Sequence, residues 1–252
     1  MSNLPALLPP PIDAEISALA RVYKTANGPL MSLVNRLGGS VEHQIALLPA
    51  AMRDQIDLVT TGALQVAHGL AGIGALAPDV GPRGTLAAVM ATGAAGGIGG
   101  LPSAIAELPV TITLLLHAIR REAQKAGFDP DSPAIRAACL QVFAAGSPIA
   151  ADDGLNTAFL SARLTLTGPA LQKMIATIAP RLATALGQKL VAQAVPVLGA
   201  LSGAALNAAY LGYYRDMARI RFALLRLSET HGPEPVLAAF RAACAPPRIV
   251  YA

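Results

Sequence analysis

Apolar residues along this chain come in long runs broken by glycine and proline, and strict alternation of apolar and polar positions never persists between breaks. Such runs, rich in alanine and poor in β-branched and aromatic residues, predict helices of about 10 to 25 residues. The breaks fall at Asn27-Gly28-Pro29, Gly38-Gly39-Ser40, Ala77-Pro78 to Gly84 and Gly127 to Pro133, then at Gly146-Ser147-Pro148, Gly168-Pro169, Gly187 and Gly232-Pro233. The pattern predicts an all-α fold, a multi-helix bundle with closely packed Gly/Ala-rich core hairpins. Residues 1–11, with the segment LPALLPPP, read as a flexible Pro-rich arm, after which Asp13 caps the first helix of a single helical domain over 12–245.

Three tracts carry no Asp, Glu, Lys or Arg: Leu58 to Pro78, Gly84 to Ala106 and Leu190 to Tyr214. Each reaches the roughly 20 residues that a bilayer crossing needs. The second is mostly Gly and Ala and contains Pro102, and the third carries Gln193, Pro196 and Asn207, so neither is strongly apolar on a transfer scale. Their glycines stand at helix-contact spacing: Gly93 with Gly97, Gly96 with Gly100, and Gly199 with Gly203. Faces of that kind let two backbones approach closely, in lipid or in a soluble core. Tight soluble packing is the preferred reading, with a membrane-dipping or membrane-inserted hairpin as the alternative.

Charge changes the picture next. In RDMARIRFALLRLSETHG, Met217, Ile220, Leu224 and Leu227 share one helical face, while Arg215, Arg219 and Arg226 fall in the opposite sector with Phe222 beside them. A second basic group, Arg120, Arg121 and Lys125, follows LPVTITLLLHAI. The plain reading is a solvated face. The functional reading is contact with anionic lipid headgroups or a membrane-protein partner.

Composition excludes several classes. With 54% hydrophobic and 13% charged residues the chain cannot be mainly disordered. Net charge is only +4 and Trp is absent, so nucleic-acid binding is not expected. Cys139 and Cys244 lack CxxC spacing and read as small buried hydrophobes in a reducing compartment. The N-terminus lacks a secretory signal pattern, so a cytoplasmic location, peripheral to the inner membrane, is expected. No cofactor motif is present: the GAAGGIGG run lacks the Lys and Ser/Thr of a phosphate loop. His43, His68, His117 and His231 occur singly, so no metal site is expected.

Candidate chemistry therefore rests on three polar residues in apolar settings. Glu107 precedes Pro109 after an uncharged tract, and burial would require a partner. A kink or helix start at Pro109 could present backbone amides to it. Asn207 lies inside the longest uncharged tract and must find a hydrogen-bond partner. Asp216 can pair with Arg219 three residues on. Asp152 and Asp153 read as a helix cap. A structural role for Glu107 is favoured over a catalytic one.

The order ELPVTITLLLHAIRREAQKAGFD, AACLQVFAAG and KLVAQAVPVLGALSGAALNAAYLGYYRDMARIRFALLRLSETHG resembles the bacterial EcsC family over roughly residues 80 to 240. Its most specific part is VPVLGALSGAALN followed by RDMARIRF. The resemblance implies a helical domain with a transport-, secretion- or envelope-related role and no settled biochemical activity. It places Glu107 where members often carry Asp, and it matches Asn207 and Asp216. The chain departs at His117, where Arg is usual, at Tyr213 and Arg221, where many members carry His, and at Arg215, where Gln is usual. Histidine-dependent chemistry therefore does not carry over. Two functions stand against each other: a non-enzymatic membrane-peripheral accessory protein, and an enzyme of hydrolase type or a hydrophobic small-ligand binder centred on Glu107, Asn207 and Asp216.

Overall fold

The structure, a computed structural model, describes residues 12–26, 49–69, 81–98, 100–143, 168–193 and 199–245. The predicted arm, the breaks at 27–29, 38–40 and 146–148, and the cap at Asp152 and Asp153 lie outside the described residues. Eight helices occur among the described residues, and no strand: α1 (Ile12–Ala26), α2 (Ala50–Gly69), α3 (Gly81–Ile98), α4 (Gly100–Lys125), α5 (Pro133–Val142), α6 (Gly168–Gln193), α7 (Gly199–His231) and α8 (Pro233–Cys244).

Local chemistry explains several boundaries. Asp13 and Glu15 occupy the first turn of α1 and Lys24 its last, each complementing the helix dipole. Gly127 ends α4 with a φ of +89°, a left-handed conformation that a side chain would strain. Its N–H donates to Gln124 O at 2.9 Å and that of Phe128 to Ala123 O at 3.1 Å, the paired bonds of a Schellman turn. Pro133 then opens α5 at a position where the missing N–H costs nothing.

Pro109 does not start or end a helix: α4 runs through it from Gly100 to Lys125. Of the two expected arrangements at Pro109, a kink or a helix start, the helix start is thus corrected. Packing along the whole of α4 outweighs the lost backbone bond, because Leu108, Ile112, Leu115 and Ile119 form one fully buried stripe.

The centre of the bundle is α7, which packs on α1, α3, α4, α5, α6 and α8, most extensively on α3. Enclosure on so many sides explains why its middle is buried nearly all round. Tyr214 is the hub of an aromatic cluster, with ring centroids 5.0 Å from Phe143, 5.3 Å from Tyr213 and 6.3 Å from Tyr210. Cys139 is buried in the same core, where loss of hydration pushes its thiol up to about 12. It behaves there as a small hydrophobe.

Two of the three uncharged tracts are each divided between two helices. Gly84 to Ala106 is divided between α3 and α4, and Leu190 to Tyr214 between α6 and α7. The described segment long and apolar enough to cross a membrane is instead Pro102–Lys125 of α4, and half of its residues are buried. Burial of that kind belongs to a core helix as readily as to a span.

Candidate functional site

Two regions gather residues singled out above, a buried polar crossing of α3, α4 and α7 and a charged groove where α4 and α7 meet α1; a third is an exposed apolar face on the α3–α4 hairpin.

At the crossing, Glu107 is 8% exposed. Its Oε1 accepts from Thr111 Oγ1 at 2.5 Å and from Asn207 Nδ2 at 2.7 Å. Asn207 Nδ2 also donates to Val89 O on α3 at 2.9 Å. The two hydrogens of one amide thus tie α7 to both members of the hairpin. Asn207 Oδ1 has no hydrogen-bond partner among the described residues. The approach is close because α3 presents glycine. A Cβ on Gly93 would overlap the Gly203 carbonyl and come within 2.7 Å of Asn207 Nδ2. One on Gly96 would overlap Glu107 Oε2 and lie 3.3 Å from Ala104 Cα. Gly97 is also buried. Gly100 and Gly199 open α4 and α7, but their surroundings lie outside the described residues.

Asp216 does not join this crossing. It lies nine residues beyond Asn207, a rise of about 13 Å and half a turn round the helix. There it lines a groove of about 560 Å³ with Glu15 and Glu122, facing the cations Lys125, Arg215, Arg219 and Arg226. Lys125 holds Glu122 at 2.5 Å and Arg226 holds Glu15 at 2.6 Å. Among the described residues Asp216, Arg215 and Arg219 form no ion pair, so the expected Asp216–Arg219 bridge is absent there. Burial raises the Asp216 carboxyl above its ordinary range and Glu122 adds to the rise, while Arg215 and Arg219 oppose it.

The predicted basic surface is corrected in three places. Phe222 is 0% exposed and stacks on Phe128 at 5.9 Å, so it cannot sit on a surface beside the arginines. Arg226 is engaged by Glu15, and Arg120 by Asp131 at 2.6 Å. Arg221, which was not part of the predicted stripe, is 3% exposed and donates to Gln141 Oε1. Its burial pulls the guanidinium down to about 9. Among the described residues no group of three His, Cys, Asp or Glu side chains could hold a metal ion.

The apolar face was not singled out from sequence. Between Leu86 and Ile98 every exposed residue of α3 is apolar: Leu86, Ala87, Met90, Ala91, Ala95 and Ile98. Across the hairpin the exposed positions from Pro102 to Val110 are Pro102, Ala106, Pro109 and Val110. Ile98 is 77% exposed and Val110 50%. Polar groups inside this patch bond inward, Thr92 Oγ1 to Val89 O at 2.9 Å and Ser103 Oγ to Ala95 O at 3.1 Å. The signal was present as spacing, since these residues recur at three and four positions, but it was masked by the equally apolar buried face of α3.

The model of the EcsC protein family matches residues 70–227. The chain belongs to the EcsC protein family. No curated protein and no solved structure matches it. The EcsC match takes in the whole α3–α4 hairpin, the polar crossing, and the α4 and α7 walls of the groove. The α1 wall, with Glu15, lies outside it. In this EcsC chain, then, the crossing and the apolar face belong to the family region, whereas the groove is completed by a helix that precedes it.

Proposed function

We propose that this EcsC-family protein is a membrane-peripheral accessory protein that seats the α3–α4 hairpin in one leaflet of a bilayer, on the cytoplasmic face of the inner membrane. The observation that carries the reading is the exposed face from Leu86 to Ile98, continued by Pro102 to Val110, on which no exposed side chain is polar. Exposed contiguous apolar surface of this kind marks an interaction site. Its length along α3 is about 18 Å, close to half of a hydrocarbon core about 30 Å thick. At the other end of the hairpin stand Arg83 and Arg121, on the level where headgroups would lie when the tip is immersed. A shallow seat of this sort needs no spanning helix, and it leaves the buried stripe of α4 within the protein. The transport, secretion or envelope connection follows from family likeness and is part of the same proposal.

A hydrophobic-ligand site is less well supported, because the groove of about 560 Å³ is lined by seven charged side chains.

The absence of Trp makes the test direct. The single indole introduced by Ile98→Trp is expected to shift its emission to the blue on mixing with anionic vesicles, and to be quenched by brominated acyl chains. Ile98→Glu should weaken vesicle partition by about 2 kcal/mol, the order expected for losing one buried large aliphatic side chain. An introduced indole that stays as exposed with vesicles as in buffer, at low and high salt, would remove the reading.

A further inference from the structure

The groove under the hairpin base has a charge pattern that neither a solvated face nor the polar crossing explains. Two of its carboxylates are already occupied, Glu122 by Lys125 and Glu15 by Arg226. Arg215, Arg219 and Asp216 remain without an ion pair among the described residues. The two arginines stand one helical turn apart, so their guanidinium groups can close on a single tetrahedral anion, the geometry in which Arg recognises phosphate. A simple anion would still face Asp216 and the nearby Glu122, which would repel it. A simple cation would face the arginines. The ligand that answers both is a compact zwitterion.

We propose that this groove binds a phosphate ester bearing a primary ammonium, the chemistry of phosphoethanolamine, with the phosphate on Arg215 and Arg219 and the ammonium toward Asp216. The volume of about 560 Å³ suits a small polar ligand and leaves room for water. A narrower cleft shares Glu122, Lys125 and Arg215 with the groove and reaches Pro82, Thr85 and Arg121 at the base of the hairpin. The groove is thereby continuous with the level at which headgroups would lie. The lipid form of the ligand rests on the membrane reading above; the soluble ester does not.

Calorimetric titration of the full chain with O-phosphoethanolamine, inorganic phosphate and ethanolamine tests the proposal without a membrane. The expected order is phosphoethanolamine tightest, phosphate weaker, and ethanolamine without measurable binding. Arg215→Gln with Arg219→Gln should weaken phosphoethanolamine roughly tenfold or more, as loss of charge-assisted hydrogen bonds does. Both side chains are exposed, so a thermal melt is expected to show the double variant folded. Asp216→Asn should keep phosphate binding and narrow the preference for the amine ester. Phosphate binding as tightly as phosphoethanolamine, or no heat with either at millimolar concentration, overturns the proposal.

Vesicles then separate the sources. Stronger partition to phosphatidylethanolamine than to phosphatidylcholine, lost in the double arginine variant, assigns the lipid headgroup. Soluble binding without that difference assigns the free ester. If Ile98→Glu leaves partition unchanged while the ester still binds, the membrane seat fails and the groove proposal stands. If the ester does not bind while the indole of the Ile98→Trp variant still enters vesicles, the groove proposal fails alone.

Discussion

Glu107 and Glu122 stand on the same helix, about four turns apart, and both are buried, yet they serve different kinds of place. Glu107 is held by two neutral side chains, Thr111 and Asn207, at a crossing where glycine has brought three helices together. Glu122 is held by Lys125 beside a groove of about 560 Å³. The difference is made by the facing helices. Where α3 carries Gly93 and Gly96, backbone closes on backbone and no space remains for a ligand. Where α7 carries Arg215 and Arg219, long cationic side chains hold the elements apart and water can enter. A buried carboxylate is thus a fastening or a potential contact according to the size of the residues opposite it.

The largest effect should come from destroying the closeness itself. Gly93→Ala places a methyl on the Gly203 carbonyl, which as backbone cannot rotate aside, and is expected to cost about 3 kcal/mol or more. The matched control is Gly212→Ala on α7, where a Cβ meets nothing within 4 Å. That change should stabilise by about 0.5–1 kcal/mol through helix propensity. Chemical unfolding of the two variants checks both signs. Similar effects at Gly93 and Gly212 would break the argument that approach distance governs the crossing.

Next in size is the fastening. Asn207→Leu removes the amide that spans Glu107 Oε1 and Val89 O, leaving a buried carboxylate with one fewer donor. The expected loss is about 2–4 kcal/mol. Arg215→Gln with Arg219→Gln, which strips two charges from the groove, should change stability by less than about 0.5 kcal/mol because both side chains are exposed. Equilibrium denaturation distinguishes the two regions directly.

How far this contrast could be read in advance depends on the kind of signal. The all-α fold was legible because alanine-rich runs, with no sustained alternation, leave little else to form. Gly93 and Gly203 were legible as a contact surface, since each belongs to a small-residue pair at helix spacing. Glu107 and Asn207 were each marked by the cost of burying a polar group, and that cost is what joins them across a hundred residues. Nine residues of one helix already set Asp216 half a turn away from Asn207; what was not legible is which helix each of them faces, because that depends on how α7 packs. Phe222 was misplaced for a related reason. A two-sided amphipathic wheel assumes a helix at the surface, and α7 is enclosed by six others. The Asp216–Arg219 pair was permitted by spacing, but spacing does not fix where two flexible side chains point.

A small expected effect carries the sharpest sign. Asp216 has a carboxyl raised chiefly by burial. A carboxyl whose folded value lies above its unfolded value binds protons more tightly in the folded state, so stability falls as pH rises from the unfolded value through the folded one. Above that window the ionised Asp216 is a net cost. Asp216→Asn removes the ionisation and should raise stability modestly at pH 7, by under about 1 kcal/mol once the residue's partial exposure and solvent screening are counted. The gain should shrink as pH falls through the folded value and vanish below the ordinary value of 3.8. At Glu107 the contrast should run the other way: a substitution there breaks the hydrogen bond that fastens α4 to α7 through Asn207, and Glu107→Ala should destabilise at neutral pH. Thermal melts of the two variants across roughly pH 3 to 8 compare a carboxylate that folding tolerates with one that folding uses. A stabilising Glu107→Ala or a destabilising Asp216→Asn at pH 7 would erase the distinction between the crossing and the groove.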